Sequence, residues 1–138
     1  MKHMPRILLA LLAGTVAAMV AVVVLETAGH AWLGAAPDPA LPAFGARAVL
    51  LLAVAFAHAA GTLLGAWTTT RLTPQRPRWT GLIVALIVLS GAVANLMEIA
   101  HPYWFAVLDL GGIAAAGWFG AAWASAPTTA REDISKEV

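Results

Sequence analysis

The sequence predicts an all-α protein, an integral membrane four-helix bundle with both termini cytoplasmic. Three observations carry that expectation. Hydrophobic residues make up 61% of the chain and charged residues only 11%, whereas a soluble domain carries about 25% charged residues. Four apolar stretches cover about 7–28, 46–70, 79–98 and 103–125, and each has the roughly 20 residues a helix needs to cross a bilayer core of about 30 Å. Lys and Arg fall almost entirely on one side of these stretches.

The first span follows a short basic lead holding Lys2 and Arg6. Its apolar run exceeds the roughly 7–15 residues of a signal-peptide core, so it reads as an uncleaved helix. Pro37, Pro39 and Pro42 then forbid a continued helix and make 34–42 the longest loop. Arg47 opens the second span. Arg71 to Arg78 is a tight basic turn with two prolines, and Trp79 begins the third span. His101-Pro102 makes a very short turn into the fourth, and 126–138 is a polar tail of mixed charge. The chain thus forms a single transmembrane domain over 1–138.

With four spans, Lys2, Arg6, Arg71, Arg76, Arg78, Arg131 and Lys136 share one side and Arg47 lies on the other. The excess of Lys and Arg in cytoplasmic loops gives an N-in, C-in orientation. Trp67, Trp79 and Trp123 then fall at the inner interface, Trp32 and Trp104 at the outer one. A loose repeat is also visible. Glu26-x-x-x-His30-x-Trp32 parallels Glu98-x-x-His101-x-x-Trp104, and Ala59-Ala60-Gly61 with Gly65 parallels Ala115-Ala116-Gly117 with Gly120.

Helical spacing sorts the polar and small residues into stripes. The expected stripes are Thr15, Met19, Glu26 and His30; Arg47, His58, Gly61 and Gly65; Gly91, Asn95, Glu98 and His101; and Asp109, Gly112, Ala116 and Gly120. Small residues let helices approach closely, and Gly61-x-x-x-Gly65 is the best single packing motif. The same small-residue faces would suit a homo-oligomer.

Glu26, His30, Arg47, Glu98, His101 and Asp109 are expected to meet in one cluster toward the outer end, and Asn95 and His58 count with Arg47 and Asp109 as its polar residues, His58 about 16 Å below Arg47 by helical rise. Three readings follow. In the first, the cluster is structural and Arg47 neutralises a carboxylate, so that Arg47→Met costs about 3–5 kcal/mol while His58→Leu costs at most about 1–2 kcal/mol. In the second, Glu26, His30, Glu98 and His101 are metal ligands, since bundles build carboxylate–histidine sites from Glu-x-x-His. In the third, Glu26, Glu98, Asp109 and His58 form a proton or ion path, the default reading of intramembrane ionisable groups. The structural, non-enzymatic reading is preferred.

Other classes find no support. A net charge of +1 gives no basic patch for nucleic acid. The chain has no cysteine, hence no thiolate site or Cys nucleophile. No Gly-x-Ser-x-Gly and no phosphate loop is present, and haem ligation by His58 lacks a second mid-membrane histidine. No cofactor is assigned, and the one partner implied is the lipid bilayer.

The Glu26/His30 pair, Pro37-Asp38-Pro39 and His101-Pro102-Tyr103-Trp104-Phe105 resemble a family of small bacterial four-helix integral membrane proteins. The resemblance covers roughly 25–120 and implies this topology and a bacterial inner membrane. It carries no activity.

Overall fold

The computed structural model describes residues 4–33 and 45–126. The proline-rich loop and the tail from 127 onward, with Lys2, Arg131 and Lys136, lie outside the described residues. Among the described residues the regular structure is four helices: α1 (Met4–Leu33), α2 (Ala46–Leu72), α3 (Arg78–Glu98) and α4 (Tyr103–Ser125). Each is long and apolar enough to cross a membrane. Three stand within a residue or two of their apolar stretches, and α1 extends further at both ends.

Proline sets two of the starts. Pro77 and Pro102 sit just before α3 and α4 with φ of −72° and −62°, the value their rings impose and a helix start accepts. The α2–α3 turn is closed by the Thr73 N–H donating to Thr69 O at 3.0 Å, and the Arg76 N–H to Thr73 O at 3.0 Å. Both turns are short, so successive helices run antiparallel.

α2 is the centre of the bundle. It packs against α1, α4 and α3, while α3 also packs on α4 and touches α1. Close approach of α1 and α2 depends on glycine. A Cβ on Gly61 would stand 2.6 Å from Val22 Cγ2 and 2.8 Å from the Ala18 carbonyl oxygen; one on Gly65 would stand 2.6 Å from Gly14 O. The packing role expected of Gly61-x-x-x-Gly65 is therefore what the structure displays. A core of Ala18, Val84, Val88, Ala92 and Ile113 joins α1, α3 and α4 beside it.

The outward faces are as apolar as the core. Leu8, Leu9, Leu12, Val16, Val20, Val23 and Val24 on α1 are each 52–65% exposed. Such a continuous apolar surface needs hydrocarbon, not water, around it. Trp32 and Tyr103 project from one end of the bundle, Trp79 and Trp123 from the other, where amphipathic rings meet a membrane–water boundary.

Two of the four expected stripes are rotated. On α1 the buried residues are Ala10, Gly14, Ala18 and Val22, not Thr15 and Met19; Met19 is exposed. On α3 they are Thr80, Gly81, Val84, Ala85, Val88 and Ala92, and Gly91 faces open space. Small residues at i, i+4 define these faces, because backbone proximity is the main source of helix association in lipid. Glu26 and Asn95 keep to these faces, whereas His30 and Glu98, nearer the helix ends, are exposed. The repeat is likewise partial. Gly61 and Gly117 each meet the preceding helix, through Val22 and Ala85, whereas Gly65 meets α1 but Gly120 meets Leu63 and Ala66 on α2.

Candidate functional site

The polar centre of the bundle is built on His58, thirteenth of the 27 residues of α2 and about 18 Å from its first residue by rise. His58 faces α1 and α4 at once, because α2 lies between them. From α4, Asp109 Oδ1 lies 2.9 Å from His58 Nδ1. From α1, Glu26 Oε1 lies 3.4 Å from His58 Nε2. Glu26 continues the Ala10–Gly14–Ala18–Val22 stripe by one further turn of i+4, so the face that packs on α2 also delivers the carboxylate.

Burial is graded along this line. The side chain of Asp109 is 1% exposed, that of His58 13% and that of Glu26 31%. The Thr62 hydroxyl, one turn further along α2, donates to the His58 carbonyl at 2.7 Å. Thr62 itself is fully buried, so this bond satisfies a hydroxyl that has no access to water.

Both imidazole nitrogens are thereby engaged. If Nδ1–H donates to Asp109, two arrangements satisfy the rest. An imidazolium can donate to an ionised Glu26, or a neutral ring can accept at Nε2 from a protonated Glu26. The two differ only in which side of the 3.4 Å gap holds one proton. Both arrangements carry the same net charge.

The other residues expected in the cluster are placed differently. His30 Nδ1 lies 2.8 Å from the carbonyl oxygen of Glu26, a local i, i−4 contact on an exposed ring. His101 Nδ1 lies 2.6 Å from Ile99 O, and its ring stacks on Phe105 at 5.0 Å between centroids. Glu98 is exposed and Asn95 half-buried near the end of α3. Arg47 is half-buried in the first turn of α2, eleven residues before His58. Of the four residues considered as metal ligands, Glu26 turns its carboxylate to His58 and the two imidazoles each bond a nearby carbonyl. Among the described residues no group of three or more His, Asp or Glu is arranged to hold a metal ion.

The hub is thus His58, which the proton-path reading grouped with Glu26 and Asp109 but helical rise placed well below the outer-end cluster. Rise along one helix gives depth relative to that helix's own end. It does not give the offset between helices, and here that offset brings all three residues to one level. The signal available in the sequence was the i+4 continuation from Val22 to Glu26.

No family model, curated relative or solved structure matches the chain.

Proposed function

We propose that this is a non-enzymatic integral membrane protein, N-in and C-in, whose working element is the Glu26–His58–Asp109 clasp. The clasp ties α1 and α4 to α2 and keeps one proton shared between Glu26 and His58. The observation that carries the reading is a single imidazole engaged at both nitrogens by carboxylates of two other helices, within spans whose outer faces are apolar. Ionisable groups at such depth are costly unless paired, and this arrangement pairs all three. Orientation rests on Arg6, Arg71, Arg76 and Arg78 at one end against Arg47 at the other.

Proton translocation is the second reading, favoured by the graded exposure from Glu26 inward. Against a continuous path stands the apolar core of Ala18, Val84, Val88 and Ile113. Purified protein in liposomes loaded with a pH-sensitive dye separates the two. The clasp reading expects proton leak equal to that of liposomes carrying Asp109→Asn. A steady flux that Asp109→Asn abolishes would overturn it in favour of transport.

A further inference from the structure

At the opposite end from Trp32 and Tyr103, the α2–α3 turn, the first turns of α1 and the last turn of α4 enclose an open recess of about 510 Å³. Three guanidinium groups line it: Arg6 from α1, Arg71 from the last turn of α2, and Arg76 from the turn. Among the described residues that line it there is no carboxylate. Arg71 is held from behind, with its guanidinium carbon 5.5 Å from the centroid of the Trp67 ring. Its Nε is buried and has no hydrogen-bond partner. A guanidinium stacked on a ring, with one donor unused, is poised for an anion that accepts more than one hydrogen bond.

The turn lining the recess has an unusual backbone. Gln75 and Arg76 both adopt left-handed backbone, with φ of 64° and 50°, a conformation non-glycine residues rarely take and one that concentrates at binding sites. Ser125 secures the turn to α4: its hydroxyl lies 3.0 Å from Arg76 O and 2.8 Å from Ala121 O. Leu72, 57% exposed, borders the recess, which places it where acyl chains give way to headgroups.

We propose that this recess binds a phosphate group, presented by an anionic lipid of the adjoining leaflet. Guanidinium forks match phosphate oxygens in pairs, and basic pockets between membrane helices take acidic headgroups. The volume exceeds that of phosphate alone and suits a glycerophosphate headgroup.

The test is native mass spectrometry of the full chain after incubation with equal amounts of phosphatidylglycerol and phosphatidylcholine. Wild type should retain phosphatidylglycerol selectively. Arg6→Gln/Arg71→Gln/Arg76→Gln should lose that selectivity at least tenfold, with unchanged melting in phosphatidylcholine nanodiscs. Because the triple variant could misfold, Arg6→Gln alone, at an exposed residue, should lower retention about threefold. A separate arm adds inorganic phosphate in lipid-free detergent. If that raises wild-type melting and not that of the Arg variants, the phosphate site stands and its ligand is soluble. Equal lipid retention by wild type and all variants would overturn the proposal and leave the arginines as partners of the helix ends. Retention that appears only after Glu132, Asp133 and Glu137 are neutralised would also overturn it, assigning the recess to the chain's own acidic tail.

Discussion

Replacing His58 by leucine removes the partner of a carboxylate that is 1% exposed. Leucine fills much of the imidazole's space, so the loss is mainly electrostatic. Breaking one side of a buried pair costs about 3–5 kcal/mol in water-soluble proteins. Hydrogen bonds between membrane helices average nearer 0.6 kcal/mol and reach about 1.7 kcal/mol, because the separated helices also find partners. The Asp109 contact, at 2.9 Å and with a buried carboxylate, belongs toward the upper of these ranges. The Glu26 contact, longer and part-exposed, belongs at about 1 kcal/mol or less. His58→Leu should therefore cost about 3 kcal/mol and Glu26→Gln under 1 kcal/mol. The decisive comparison is the double variant His58→Leu/Asp109→Leu. It leaves neither group unpaired, so it should be more stable than His58→Leu alone. Equilibrium unfolding by steric trapping in lipid micelles reads the free energies of the wild type, His58→Leu, Asp109→Leu and the double variant. A double variant as unstable as the sum of its singles, or a silent His58→Leu, would refute the reasoning.

Four further outcomes follow from the packing, the site and the topology. Gly61→Ala should destabilise by about 1–3 kcal/mol, because its methyl meets the Ala18 carbonyl oxygen as well as Val22. Gly91→Ala, with nothing within 4 Å, should be neutral or stabilising by up to about 1 kcal/mol, both read by the same unfolding assay. Melting of the purified protein should not rise with Zn²⁺, Mn²⁺ or Fe²⁺; a rise abolished by Glu98→Gln with His101→Ala would establish the metal reading. Cysteines introduced at Asp38 and Gln75 should label from opposite faces of the membrane, Asp38 from outside; labelling of both from one face would exclude the proposed topology.

The four helices were legible because bilayer thickness translates directly into the length of an apolar run. Pro77 and Pro102 fixed two starts through their ring geometry. Gly61 and Gly65 were legible because their spacing has one strong structural use. The faces of α1 and α3 were not, since polar residues near a helix end can point to headgroups as readily as to a neighbour. Ala10, Gly14 and Ala18 carried the better signal for α1. The site was half legible. Glu26, His58 and Asp109 each stood out as ionisable groups within spans, and the proton-path reading grouped them together with Glu98. Their convergence depends on how far α2 slides along α1 and α4, which tight packing at Gly14, Gly61, Gly65 and Gly120 determines. That sliding separates Arg47 from the centre and puts His58 there.

The central claim is that one imidazole in the membrane interior joins Glu26 and Asp109. Solid-state nitrogen NMR on protein in lipid bilayers tests it directly, with histidine ring nitrogens labelled and His3, His30 and His101 replaced by glutamine so that His58 alone reports. The account predicts that Asp109→Asn shifts the Nδ1 resonance and Glu26→Gln shifts Nε2, each with the lesser effect on the other nitrogen. Ring resonances that match free imidazole and stay fixed in both variants would contradict it.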